Sequence, residues 1–179
     1  VLVPYCETVD EVRHTAIKAK THPLKGEYYE KVVATGEYPS EKSEKYLNNR
    51  HKDRIFIMGI ESEPAANRVE ELIECAPIDA VFIGPNDMTT SLGIPDEVDN
   101  PIYIDTLSKI IKAADDRGLP TMIHQQTIST SAKAIELGAR FIMHSSDAGI
   151  LLRGTQDEFA ELRKIAGKKH GGVAEVVAE

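Results

Sequence analysis

The sequence predicts an α/β fold built on a parallel sheet and wound as a (β/α)₈ TIM barrel, incomplete here, and three observations carry that prediction. Five short apolar runs of strand length alternate with segments of helical periodicity. The clearest of these runs, Ile55–Met58 and Ala80–Ile83, are apolar at consecutive positions, as expected of strands covered on both faces. Polar residues close the runs, with Glu7, Glu61, Asp87, His124 and Asp147 at successive carboxyl ends, the edge where such barrels carry their chemistry. The competing architecture, an open doubly wound sheet, would show a Gly-rich phosphate loop after its first strand, and Pro4–Tyr5–Cys6–Glu7 has none. Five strands cannot close an eight-stranded barrel, and residue 1 falls inside an apolar strand with no Met before it. The chain therefore reads as approximately strands four to eight of a longer domain, with a partial barrel over 1–166 and a polar tail over 167–179.

The elements follow in order. The strand Leu2 to Tyr5 yields to Thr8–Val9–Asp10–Glu11, a capping box that starts a helix running to about Lys20, with Val9, Val12, Ala16 and Ile17 on its apolar face. His22–Pro23–Leu24–Lys25–Gly26 breaks it. The charged, weakly periodic stretch Glu27 to Asn49 reads as a loop with one or two exposed helices, the better one from about Ser40 to Arg50. Arg54 to Glu61 is the second strand, and Pro64 opens the next helix near its first turn. Ile78 to Ile83 is the third strand, closed by Gly84–Pro85. Asn100–Pro101 starts a long helix in which Ile104, Leu107, Ile110, Ile111 and Ala114 recur at helical spacing. Pro120 to His124, Ser129 to Leu137 and Arg140 to His144 supply strand, helix and strand, and a closing helix is expected from Thr155 with Glu158 as its capping partner.

Composition narrows the function. The 179 residues carry a formal net charge of -8, with 41% hydrophobic and 28% charged residues, which suits one globular domain with an ordinary core. A pI near 5.3 argues against a nucleic-acid partner. No stretch has the apolar length of a membrane-spanning helix, and no signal peptide is seen. Cys6 and Cys75 lack any CxxC or Cys/His grouping, so reduced structural thiols in a cytoplasmic protein are expected. Lys25 and Lys31 read as solvated surface lysines, with anion contact as the other reading.

Asp87, three residues beyond Gly84, stands where a carboxylate can bind metal or substrate, or can instead cap a short helix from Met88 to Ser91. Glu61 occupies the same kind of position one βα unit earlier.

Val3–Pro4–Tyr5–Cys6–Glu7–Thr8, Gly59–Ile60–Glu61–Ser62, Ile83–Gly84–Pro85–Asn86–Asp87–Met88, Ser91–Leu92–Gly93 and His144–Ser145–Ser146–Asp147 together resemble the HpcH/HpaI family, from Leu2 to about Arg163. These are class II, metal-dependent aldolases that cleave 4-hydroxy-2-oxo acids to pyruvate and an aldehyde. The resemblance implies that Glu61 and Asp87 bind a divalent cation (Mg²⁺, Mn²⁺ or Co²⁺) that chelates pyruvate, and that the backbone amides of Asn86 and Asp87 hold the pyruvate carboxylate. Hard carboxylate oxygens suit such an ion, and two protein ligands leave room for a bidentate 2-oxo acid. The family's general-base His and substrate-binding Arg come from strands one to three, outside this sequence. His124 and His144 do not fall on those positions, and each reads as a structural or supporting residue, although His124, at a strand's carboxyl end, could reach the pocket. Asp147 matches a family acid near the last strand, or caps the helix after Ser146. Two departures stand out: Gly59 replaces a Gln, and Lys25–Gly26–Glu27–Tyr28–Tyr29–Glu30 replaces an Arg-Gly-rich loop. Two alternatives remain: an acyl-coenzyme A lyase of the citrate-lyase type, and a non-catalytic relative acting as an assembly subunit. A homo-oligomer is expected.

Overall fold

The structure is a computed structural model that describes residues 1–170. Five parallel strands, β1 (Leu2–Val3), β2 (Ile57–Gly59), β3 (Ala80–Ile83), β4 (Thr121–Gln125) and β5 (Phe141–His144), form one sheet in the order β1-β2-β3-β4-β5. Sequential order discriminates between the two expected architectures. A doubly wound sheet reverses direction at a switch point, whereas right-handed crossovers that always step the same way place every helix on one face.

Burial follows that winding. The register aligns Val3, Met58, Val81 and Thr121 in one row on the helix-covered face, where Met58 and Val81 are fully buried. Gly59, Phe82, Met122 and Phe141 form a row on the opposite face. There Phe141 is 54% exposed and Met143 47%, and Ile57, Ala80, Met122 and Phe141 border an apolar hollow of about 230 Å³. The sheet is open, with one face packed and the other bare.

Nine helices are described: α1 (Val9–Thr21), α2 (Glu27–Thr35), α3 (Glu41–His51), α4 (Glu63–Asn67), α5 (Val69–Glu74), α6 (Pro85–Ser91), α7 (Pro101–Asp115), α8 (Ile128–Glu136) and α9 (Asp147–His170). The Thr8–Glu11 capping box is formed, and Asn100 caps α7 by accepting the Ile102 N–H at 3.0 Å. The core is centred on Phe56, Met58, Ile60, Leu72, Ile83, Ile110 and Ile123, all at 0% exposure. At the amino edge of the sheet Asp79 accepts the Phe56 N–H at 2.6 Å and pairs with Lys20 at 2.5 Å, tying β2, β3 and α1 together.

Several expectations need correction. The strand β1 stops at Val3, because Pro4 has no N–H to donate and Tyr5 turns out of the sheet with φ +57°. The stretch Glu27 to Asn49 holds two helices that are exposed over most of their length, as expected, with α3 starting at its Ser40 cap; each nonetheless packs two side chains, Tyr29 and Val32 in α2 and Leu47 and His51 in α3. Their apolar faces are only two residues wide, too short to register as periodicity. Tyr29 also donates its hydroxyl to the His14 carbonyl at 2.8 Å, fastening α2 to α1. The helix after Pro64 is interrupted at Arg68, giving α4 and α5. The last helix starts at Asp147 instead of Thr155, since Ser146 Oγ accepts the Gly149 N–H at 3.1 Å and Asp147 accepts the Ala148 N–H at 2.7 Å. It continues through the boundary placed at 166 to His170, and residues 171–179 of the expected tail lie outside the described residues. Along it Leu151, Leu152, Phe159 and Leu162 are exposed.

Candidate metal and substrate site

Two neighbouring strands deliver the carboxylates. The strand β2 ends at Gly59, and the chain continues its pairing through Ile60, whose N–H donates to the Phe82 carbonyl at 2.8 Å, before Glu61 leaves the sheet. The strand β3 ends at Ile83, and Gly84–Pro85 turns directly into α6, which places Asn86 and Asp87 in its first turn. N–H groups in a first turn have no acceptor within their own helix. Both acids therefore stand at the carboxyl edge on adjacent strands.

The loops that carry them are pinned to each other. Glu63 N–H donates to Ser91 Oγ at 2.9 Å, joining the start of α4 to the end of α6. Thr89 Oγ1 donates to the Asn86 carbonyl at 3.1 Å and accepts the Asp96 N–H at 3.2 Å, which anchors α6 to the following loop.

Glu61 is 6% exposed, yet the one hydrogen bond its carboxylate receives among the described residues is from the Tyr5 backbone N–H to Oε2, at 3.3 Å. A carboxylate can accept about four such bonds. Burial pushes its carboxyl above the ordinary range, the Tyr5 N–H pulls it down, and the charge of Asp87 raises it further. The wall around it is made by the absence of side chains. A Cβ at Gly84 would lie 2.4 Å from Glu61 Oε1, and one at Gly59 would lie 2.9 Å from Pro4 Cα and 3.0 Å from the Val3 carbonyl oxygen. Gly59 thus admits the close approach of the Pro4–Tyr5 backbone that brings the Tyr5 N–H to Glu61.

Asp87 is exposed at the mouth and makes no ion pair among the described residues. Tyr5 was not singled out by the sequence. Its phenol is pushed above the ordinary tyrosine range, first by the charge of Asp87, then by desolvation and by Glu61. A Tyr directly after a strand-ending Pro was the available signal, but it reveals nothing about a left-handed φ.

The other candidates are placed elsewhere. His124 lies at the end of β4 with Nε2 3.3 Å from both the Ser145 carbonyl oxygen and Gln126 Nε2, with no hydrogen bond to Glu61 or Asp87 among the described residues. His144 Nδ1 sits 2.8 Å from Ser131 Oγ on the α8 side of the sheet. Asp147 accepts a bond from its own helix, and the Glu7 N–H donates to Glu11 at 3.0 Å. Lys31 pairs with Glu37 at 2.9 Å, and Lys25 is exposed. Cys6 is buried, its thiol pushed up to about 11 chiefly by desolvation, and both cysteines are free. A hollow of about 400 Å³ between Pro23, Leu24 and α3 touches neither acid; its lining is mostly apolar, and the strand ends remain the site with concentrated charge.

The donor set fits a hard divalent cation. Among the described residues no group of three or more His, Cys, Asp or Glu side chains is arranged to hold a metal. Two carboxylates, one of them buried with most of its lone pairs free, match an ion that completes its shell with substrate oxygens and water.

Fold and site together define a parallel α/β protein of the barrel-wound kind with an acidic carboxyl edge. The sequence pattern of the HpcH/HpaI aldolase/citrate lyase family matches residues 1–153, and the chain belongs to that family. It is 26% identical over 155 residues to a 5-keto-4-deoxy-D-glucarate aldolase of Klebsiella pneumoniae and 26% identical over 158 residues to a pyruvate aldolase of Rhizobium etli; each alignment covers 87% of this chain and 60% of the relative. The chain thus spans less than two thirds of the length of these relatives. A crystal structure of a family protein from Burkholderia cenocepacia superposes with a TM-score of 0.74 at 24% identity, covering 90% of this chain and 64% of that one. An HpcH/HpaI aldolase from Desulfitobacterium hafniense superposes with a TM-score of 0.71 at 22% identity, covering 90% and 62%. These structural likenesses establish the fold. No helix among the described residues is long and apolar enough to cross a membrane.

Proposed function

We propose that this chain carries the metal-binding and pyruvate-binding half of a class II aldolase that cleaves a 4-hydroxy-2-oxo acid to pyruvate and an aldehyde, and that its five strands are strands four to eight of a (β/α)₈ barrel. The observation that carries the reading is Glu61, a 94%-buried carboxylate with a single long hydrogen bond, placed one strand from the exposed Asp87 at the carboxyl edge. A charge held so poorly by its own protein is a liability to the fold and an asset to cation binding.

When bound, a divalent cation (Mg²⁺, Mn²⁺ or Co²⁺) supplies Lewis-acid polarisation of a 2-oxo group. Glu61 and Asp87 would hold it through two hard oxygens. Gly84, lacking a side chain, keeps the space beside Glu61 Oε1 clear. The first-turn N–H groups of Asn86 and Asp87 would orient the substrate carboxylate, and the pinned α4 and α6 loops keep those donors in register with the acids. The general base is assigned to no residue of this chain, since the His124 ring is turned to Ser145 and Gln126. A homo-oligomer is in keeping with the exposed apolar residues of α9.

Asp87→Asn and Glu61→Gln in the intact protein test the reading. Both preserve shape while removing a formal charge. Pyruvate release from a 4-hydroxy-2-oxo acid should fall by orders of magnitude in each, with partial rescue at high Mn²⁺. Turnover like that of the unaltered protein in both variants, insensitive to chelator, would reject it.

A further inference from the structure

Glu61 and Asp87 carry like charges at neighbouring strand ends, and like charges push apart the segments that bear them. Two cross-links bracket the acids and oppose that separation. Below them, β2 and β3 pair through Gly59 and Phe82, and the Ile60 N–H donates to the Phe82 carbonyl at 2.8 Å. Above them, the Glu63 N–H donates to Ser91 Oγ at 2.9 Å, across 28 positions of sequence. Among the described residues this second link is the hydrogen bond that joins α4 to α6. Glu61 lies two residues before its donor, and Asp87 lies one helical turn before its acceptor.

The bond uses groups that neither helix needs for itself. Glu63 is the first residue of α4, so its N–H has no acceptor within the helix, and the Ser62 cap is taken by the Ala65 N–H at 3.4 Å. Ser91 is the last residue of α6 and is exposed, so its hydroxyl adds nothing to core packing. Thr89, two residues earlier, is fully buried and ties the same helix to the Asn86 carbonyl and the Asp96 N–H, so a restraint on Ser91 is transmitted to Asp87. We infer that Ser91 is a positioning residue for the carboxylate pair: its hydroxyl latches the end of α6 to the start of α4 and sets the separation at which Glu61 and Asp87 both reach one divalent cation. This rests on the metal-site reading above. A latch of this kind acts on affinity, because an apparent dissociation constant rises as the fraction of molecules in the competent arrangement falls.

Ser91→Ala in the intact protein removes the acceptor, and Ser91→Thr keeps it. Amide hydrogen exchange in chelator should show the Glu63 N–H losing protection in Ser91→Ala and retaining it in Ser91→Thr. Calorimetric titration with Mn²⁺ alone should give a dissociation constant about 10-fold higher for Ser91→Ala, the low end for contacts that lie behind a metal ligand, and a value close to that of the unaltered protein for Ser91→Thr. Equal exchange of the Glu63 N–H in all three proteins overturns the latch. Equal Mn²⁺ affinity in Ser91→Ala and the unaltered protein, or an equal loss in Ser91→Ala and Ser91→Thr, overturns the positioning role and leaves the metal site standing. Absence of Mn²⁺ binding to the unaltered protein, with or without pyruvate, overturns the metal-site reading and the role of Ser91 with it.

Discussion

Glu61→Gln should stabilise the metal-free protein. The side chain is 6% exposed, receives one N–H bond of 3.3 Å from Tyr5, and stands near the like charge of Asp87. Gln retains the shape and an acceptor for the Tyr5 N–H, and its amide can donate toward Asp87. Removing a buried, under-bonded charge of this kind is worth roughly 1–3 kcal/mol. For a chain of this size that corresponds to a rise in Tm of roughly 2–12 °C, read by calorimetry in excess chelator near pH 7. The pH dependence follows from the raised carboxyl. Because Glu61 holds its proton more tightly when folded, its ionisation penalty is present above the folded-state value. The penalty disappears as the pH falls below the ordinary 4.5, where the group is neutral in both states. The advantage of Gln should therefore vanish in acid. Mn²⁺ should narrow or reverse the order, since an ion at one hundred times its dissociation constant adds about 2.7 kcal/mol to the unaltered protein and less to the variant, which binds it more weakly. A variant that melts lower than the unaltered protein in chelator at pH 7, by the same margin at pH 4, would show that Glu61 is a structural residue and refute this account of its strain.

Other consequences are as specific. Gly84→Ala places a methyl 2.4 Å from Glu61 Oε1, so the carboxylate must swing away; the fold should persist with a loss of about 1–3 kcal/mol, while Mn²⁺ affinity measured by titration drops sharply. Gly59→Ala meets backbone atoms, Pro4 Cα and the Val3 carbonyl oxygen, which cannot rotate out of the way. Denaturant unfolding should therefore show a larger loss than at Gly84, with displacement of β1. The 179-residue chain produced alone should self-associate and bind a hydrophobic dye, because Phe141, Met143 and the apolar residues of α9 lie exposed; a monodisperse monomer in light scattering would contradict this.

The positions of the two candidate acids were legible because their determinants are local. Gly84–Pro85 ends a buried strand whatever surrounds it, and Asp87 then has to emerge at the carboxyl edge. The same holds for Glu61 after the apolar run of β2. The start of the last helix was misjudged: it was expected at Thr155 with Glu158 as its capping partner, whereas the hydrogen bonds to Ser146 and Asp147 start it at Asp147. The helices α2 and α3 were expected, the second from about Ser40, but not the side chains they bury, Tyr29 with Val32 and Leu47 with His51, because these find partners only once α1 is present.

By itself the sequence determined the strand and helix alternation, the caps at Thr8 and Asn100, the carboxyl-edge positions of Glu61 and Asp87, and the family resemblance, all of which depend on residues within a few positions of one another. Only the tertiary structure decided the strand order, the bare sheet face and the hydrogen bond from the Tyr5 backbone N–H to Glu61. Strand order depends on which distant segments pair, and the Tyr5 conformation depends on Gly59 and Glu61, more than fifty residues away, leaving room for it and accepting its N–H. A left-handed φ costs free energy locally, so nothing in the neighbouring residues favours it; the contacts that hold it in place exist only once β1 and β2 lie side by side.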